Sequence, residues 1–127
     1  MMIDVDKFKS VNDRFGHQTG DVVLERVSGL IKKYLRPEDL AGRYGGEEII
    51  VAIQSEFATA IEIAERIRAT VAEYKMKSPD NKEFNVTLSI GIASSGAFDF
   101  DAQRLIGRAD AAMYQAKNEG RDRVRMA

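Results

Sequence analysis

Leu40-Ala41-Gly42-Arg43-Tyr44-Gly45-Gly46-Glu47-Glu48-Ile49-Ile50-Val51-Ala52-Ile53-Gln54 is the stretch on which the fold turns. Residues 40–44 and 49–54 read as two strands, and four residues join them. Two adjacent glycines accept positive φ, so the spacing predicts a hairpin with its tip at residues 45–48. Carboxylates at Glu47 and Glu48 are then held out from the sheet edge.

Working outward, residues 1–6 read as a strand, with Met1, Met2, Ile3 and Val5 apolar. A short helical turn at 7–12 follows, and Gly16-His17-Gln18-Thr19-Gly20 reads as a break. Thr19 or Asp21 is placed to open the next helix, which carries Val22, Val23, Val27, Leu30, Ile31 and Tyr34 at helical spacing until Pro37 ends it. Downstream, 58–74 reads as a second amphipathic helix and Ser78-Pro79-Asp80-Asn81 as a turn. Residues 86–93 read as a central strand, 101–118 as a third helix closed by Gly120, and 124–126 as a last edge strand. The order β-α-β-β-α-β-α-β predicts an α+β layer, helices packed on a mixed or antiparallel sheet. No repeat, low-complexity run or linker divides the chain, so residues 1–127 are expected to form one domain. The pattern opens inside a strand, which suggests part of a longer protein.

At 127 residues, 44% hydrophobic and 31% charged, the chain can bury one real core. Nineteen Lys and Arg against twenty Asp and Glu leave a net charge of −1. That balance argues against a nucleic-acid binder but not against a small anionic ligand. With no Cys and a single His, disulfides, thiolate sites and His-clustered zinc are excluded. No apolar run approaches the ~18 residues that a membrane span needs, and the first residues lack a signal core. A cytoplasmic domain without membrane contact of its own is expected.

GxxxxGK[ST], GxGxxG and GxSxG are all absent. Two acidic sites stand out instead: Asp4 with Asp6 at the end of the first strand, and Glu47 with Glu48 on the hairpin tip. If that strand lies beside the hairpin, the carboxylates converge. Hard oxygen ligands without His or Cys suit Mg²⁺ or Mn²⁺, with substrate phosphates completing the shell. On spacing alone, ordinary solvated charges at loop ends are the favoured reading. Lys9, Lys117 and Arg121 are candidate cations. The last two are i and i+4 at a helix end, where the helix dipole already explains them. Asn12 and Asp21, on either side of a Gly-rich turn, have the amide and carboxylate that can read a guanine edge; they also suit turn and cap roles.

Together these residues resemble the GGDEF family of diguanylate cyclases, from Ile3 to about Val124. The blocks are Asp4-Val5-Asp6-Lys7-Phe8-Lys9 with Asn12-Asp13, Phe15-Gly16-His17 and Gly20-Asp21; Arg43-Tyr44-Gly45-Gly46-Glu47-Glu48; Val86-Thr87-Leu88-Ser89-Ile90-Gly91-Ile92-Ala93; and Ala109-Asp110, Tyr114, Ala116-Lys117, Gly120-Arg121. The resemblance implies a palm-like nucleotidyl cyclase fold, a central, mostly antiparallel sheet flanked by helices with a GGEE hairpin. It implies a bacterial signalling enzyme, a nucleotidyltransferase that condenses two GTP into cyclic di-GMP and two pyrophosphates. Carried over by position, Asp4, Glu47 and the Val5 carbonyl hold the metal, Mg²⁺ or Mn²⁺, two ions per GTP. Lys7 and Phe8 offer backbone N–H groups to phosphate, Gly46 lets the backbone approach it, and Lys9, Lys117 and Arg121 add charge. Asn12 and Asp21 read guanine, and Glu48 stands by the metals, placed to assist deprotonation. One GTP per domain requires a homodimer facing about a two-fold axis.

Arg36-Pro37-Glu38-Asp39 is an RxxD, with five residues between Asp39 and Gly45. In the family that spacing marks a product-inhibition site for cyclic di-GMP, which is put ahead of the plainer alternative, a surface turn capped by Asp39. Arg66 or Arg68 is a candidate second arginine. Ile49 stands where the family usually has Phe, which predicts altered packing in the sheet. The family's N-terminal segment, a helix and an apolar wall near guanine, is missing, so one sheet face is expected to lie open. The rival function is a catalytically weak or inactive module that binds cyclic di-GMP or GTP as a receptor. A structural domain with no ligand must treat every matched polar residue as coincidence.

Overall fold

A computed structural model describes residues 1–96, 98 and 100–127. The elements in chain order are β1 (Met2–Val5), α1 (Phe8–Phe15), α2 (His17–Lys32), β2 (Leu40–Gly45), β3 (Glu48–Ala52) and α3 (Phe57–Glu73). Then come β4 (Met76–Lys77), β5 (Glu83–Phe84), β6 (Leu88–Ile92), α4 (Ala102–Asn118) and β7 (Arg123–Met126). Five strands form one sheet in the order β2-β3-β1-β6-β7. All its pairs are antiparallel except β6 with β7. This is the expected α+β class, with helices on both faces of a mostly antiparallel sheet.

β1 is central because both of its faces are apolar and side chains alternate along a strand. Ile3 and Val5 join the main core with Val23, Val27 and Ile31 of α2 and Ala64, Ile67 and Val71 of α3. Met2 points the other way, onto Ala109 and Met113 of α4. Asp4 follows Met2 on the α4 side and is buried at the strand's end. Ile49 is buried in the main core opposite Ile3, as a sheet residue should be. Beside the N-terminal half of α4 that second face is open. A groove of about 590 Å³ is lined there by Ile50, Ile53, Phe57, Ala93 and Ile106.

Three local expectations are corrected. The break at Gly16–Gly20 is a single residue: α1 runs through Phe15 and α2 begins at His17. Gly16 serves both ends at φ 90° and ψ 160°, a region essentially closed to other residues. Neither Thr19 nor Asp21 caps α2; Thr19 Oγ1 donates back to the Phe15 carbonyl instead. At the hairpin tip only Gly46 takes positive φ, 33°, and a bulge between Arg43 and Gly45 tightens the turn. Finally, the turn at Ser78–Asn81 joins β4 and β5, a small hairpin whose Phe84 stacks on Phe15 at 4.5 Å between ring centroids.

Candidate active site

The site forms where β1 ends between β3 and β6. Asp4 lies directly across from Glu48 on one side and Ser89 on the other. The Val5 N–H donates to the Glu47 carbonyl at 3.3 Å, which ties the hairpin tip to the strand end. Asp4 and Glu48 are therefore cross-strand neighbours, with Glu47 next to them at the hairpin tip. Burial raises the Asp4 carboxyl from its usual value to about 6; Glu47 and Glu48 add to the rise, and Lys117 opposes it. Lys117 Nζ stands 2.8 Å from Asp4 Oδ2 and pairs with it. Among the described residues the Lys117 ammonium is the partner that this buried oxygen has.

Among the described residues no three His, Cys, Asp or Glu side chains form a metal cluster. The available set is two carboxylates, Asp4 and Glu47, with the Val5 carbonyl. The set fits a hard divalent cation. All its donors are oxygen, and the buried Asp4 Oδ2 faces a positive charge, the Lys117 ammonium, whose place a cation can take.

Lys7 adopts a left-handed conformation, φ 53°, as the residue before α1. No side chain caps that helix, so the N–H groups of its first turn have no intrahelical acceptor. Lys7 and Lys9 are exposed there and Phe8 is buried beneath. Further along α1, Asn12 Oδ1 is buried without a partner. It packs against Gly20 of α2 so closely that a Cβ there would lie 1.9 Å from it. Asp21, exposed, follows on α2. The two helices meet directly rather than across a loop.

At the other side of the site, Lys117 and Arg121 do not share a helical face, contrary to their i, i+4 spacing. α4 stops at Asn118 and closes in a Schellman turn: Gly120 N–H donates to Lys117 O and Arg121 N–H to Ala116 O. Asp6 also departs from expectation. It turns away from the metal site and accepts hydrogen bonds from Thr87, Ser89 and the Asp122 N–H. The RxxD segment is a closed turn, with Asp39 Oδ2 accepting from the Arg36 N–H at 2.7 Å. Arg68 is committed to Glu65 and Asp122, so it does not serve as a second product arginine in this arrangement.

A mostly antiparallel palm-like sheet with acidic residues at the end of its central strand and on the adjoining hairpin defines a nucleotidyl cyclase class. The chain belongs to the GGDEF family: the model for the diguanylate cyclase GGDEF domain matches residues 1–123. It is 47% identical over 129 residues to diguanylate cyclase A of Treponema denticola, covering 100% of this chain and 34% of that protein. It is 42% identical over 127 residues to diguanylate cyclase DosC of Escherichia coli, covering 99% and 27%. The chain thus spans about a third or less of these curated relatives. The GGDEF domain of DgcB from Caulobacter crescentus, crystallised with cyclic di-GMP, superposes with a TM-score of 0.91 at 34% identity, over 98% of this chain and 74% of that one. Among the described residues no helix is long and apolar enough to cross a membrane.

Proposed function

We propose that this domain is a diguanylate cyclase, condensing two GTP into cyclic di-GMP with release of two pyrophosphates. Two copies face each other about a two-fold axis, each holding one GTP. The observation that carries this reading is Asp4: a buried carboxyl beside Glu47 and Glu48, held well above its ordinary pKa with only the Lys117 ammonium against its Oδ2. Asp4, Glu47 and the Val5 carbonyl would hold Mg²⁺ or Mn²⁺, with substrate phosphates completing the shell. When bound, the metal neutralises triphosphate charge and lowers the pKa of the attacking hydroxyl.

The chain's own residues do the positioning that phosphoryl transfer requires. The N–H groups of Lys7 and Phe8 at the start of α1 cradle phosphate, with Lys9, Lys117 and Arg121 adding charge. Gly46 lets the tip backbone approach. Asn12 and Asp21 read guanine, the orphaned Asn12 oxygen finding its donor there. Glu48 is placed to accept the proton of the 3′-hydroxyl. Arg36 and Asp39 form a site for the product, which has to replace the Arg36 N–H on Asp39.

The test is GTP turnover with Mg²⁺ by the full-length protein and its Glu47→Gln variant. Product from the first and none from the second supports the cyclase. Binding of cyclic di-GMP with no turnover at any protein concentration favours the receptor module instead. A second prediction isolates guanine recognition. Gly20→Ala places a methyl 1.9 Å from Asn12 Oδ1, the end of a side chain that can rotate away. The expected result is GTP binding weakened about tenfold, roughly one hydrogen bond's worth, with a near-unchanged melting temperature. Unchanged GTP affinity would remove Asn12 from the guanine site.

A further inference from the structure

We propose that Asp6 is a positioning residue: its buried carboxylate pins the turn after α4 and so sets where Arg121 enters the phosphate site. The inference rests on the reading of Arg121 as a phosphate-holding residue.

Asp6 is 5% exposed, and its environment is unusual for a buried carboxylate. No cation reaches it among the ion pairs of the described residues. Oδ1 accepts from Ser89 Oγ at 2.6 Å, and Oδ2 accepts from Thr87 Oγ1 at 2.7 Å and from the Asp122 N–H at 3.0 Å. Two of these donors belong to the sheet and its approach. The third is the residue next to Arg121, 116 positions along the chain.

That third bond holds a strained segment. Gly120, Arg121 and Asp122 run through three successive positive φ values, 116°, 65° and 44°. For the two non-glycine residues such angles cost on the order of 1 kcal/mol each and persist only where surroundings enforce them. The surroundings are identifiable. The Schellman bonds fix Gly120 and Arg121 from the helix side. Asp6 fixes the Asp122 amide from below, and Arg68 of α3 grips the Asp122 carboxylate at 2.6 Å. Arg121 therefore leaves a backbone clamped on both sides, its side chain exposed.

Chain order explains why the segment that carries Asp4 also supplies this clamp. Asp4 lies near the end of β1, and Asp6 follows in the turn just beyond it. Asp4 meets Lys117, on the last turn of α4, and Asp6 meets the turn that follows. One carboxylate serves the metal site and the other the frame around it. Without the Asp6 acceptor the Asp122 amide loses its partner, the positive-φ residues relax, and Arg121 samples more directions.

The experiment measures affinity of the full-length protein for α,β-methylene-GTP with Mg²⁺, by calorimetry, alongside thermal melting. The variants are Asp6→Ala, Asp6→Asn, Arg68→Gln and Arg121→Ala, with the doubles Asp6→Ala/Arg121→Ala and Arg68→Gln/Arg121→Ala. The expected result is about tenfold weaker binding for Asp6→Ala and for Arg121→Ala, and no further loss in their double, because both remove one interaction. Asp6→Asn, which keeps an oxygen for the Asp122 N–H, is expected within about twofold of wild type. A merely structural role lowers the melting temperature and the binding-competent fraction but leaves affinity intact. If folded Asp6→Ala binds like wild type, or its loss multiplies with that of Arg121→Ala, the proposal is overturned. If Asp6→Ala does not fold, Arg68→Gln decides: a threefold loss absent from the Arg121→Ala background supports it, and unchanged affinity overturns it. Wild-type protein that fails to bind the analogue, or Arg121→Ala that binds normally, overturns the phosphate reading itself, and the positioning role falls with it.

Discussion

Asp4→Asn is expected to make the ligand-free protein more stable while reducing GTP turnover on the order of a thousandfold. The two effects share one cause. In the folded protein the Asp4 carboxyl is buried, 3% exposed, and raised to about 6 by desolvation and by the nearby Glu47 and Glu48. An ordinary Asp titrates near 3.8. The native state therefore binds this proton more tightly than the unfolded chain does. Its contribution to stability is full below about pH 4 and is lost as pH rises through about 6. A shift of about two pKa units caps the loss near 3 kcal/mol. The attraction of Lys117 is already contained in that shift, and water reaching the site softens the burial penalty, leaving a net gain of about 1–2 kcal/mol above pH 6. Asparagine is neutral throughout, so the melting-temperature difference between variant and wild type should open between pH 4 and 6 and then stay flat. The expected size is a few degrees.

Turnover moves the opposite way. A neutral amide is a weaker ligand for a hard cation and contributes no charge against a triphosphate. Mg²⁺ with a GTP analogue should raise the melting temperature of wild type and leave the variant's nearly unmoved, since only a state that binds ligand is stabilised by it. Melting curves from pH 4 to 8 with parallel turnover assays check both halves. A variant that is less stable at pH 8, or that retains turnover, refutes the assignment of Asp4.

How much of this was legible beforehand depends on how local each feature is. The central position of β1 shows in Met2, Ile3 and Val5, apolar on both parities. The hairpin shows in Gly45-Gly46, and the nearness of Asp4 to Glu47 follows once those strands are neighbours. The helix junction was not legible, because a glycine needed for its dihedrals and one needed for its missing side chain look alike. Gly16 is the first kind, at φ 90°. Gly20 is the second, inside α2 and pressed on Asn12. β4 and β5 are two residues each, too short for any periodicity to register. Spacing placed Lys117 and Arg121 on one helix face because it carries no sign of where the helix stops. Asp6 is the clearest case: its donors lie more than 80 residues away, and only the sheet brings them together. The residues proposed to meet ligand were thus readable from motif, while the contacts that hold their segments in place were not.

The frame itself has a point of failure at Gly91. α4 lies on the sheet through three alanines, Ala109, Ala112 and Ala116, with Met113 buried among them. They approach β6 at Gly91, paired with Met2 on β1 and Arg125 on β7. A methyl on Gly91 would stand 2.0 Å from the Ala109 carbonyl oxygen and 2.3 Å from the Met113 nitrogen. Those are backbone atoms, so no rotamer change relieves the overlap; helix and sheet must separate. Overpacking typically costs 1–3 kcal/mol where side chains can yield, so Gly91→Ala is expected at about 3 kcal/mol or more. The melting temperature should fall by about ten degrees or more. Gly107→Ala in the same helix is the matched control. Its Cβ meets nothing within 4 Å, and replacing a helical glycine by alanine should gain about 0.5–1 kcal/mol. Opposite signs for the two alanines, read by thermal melting, are the expected outcome; a Gly91→Ala protein within 1 kcal/mol of wild type contradicts the close packing. Any Gly91→Ala protein that still folds should also lose turnover, because separating α4 from the sheet carries Lys117 away from Asp4, now 2.8 Å from it.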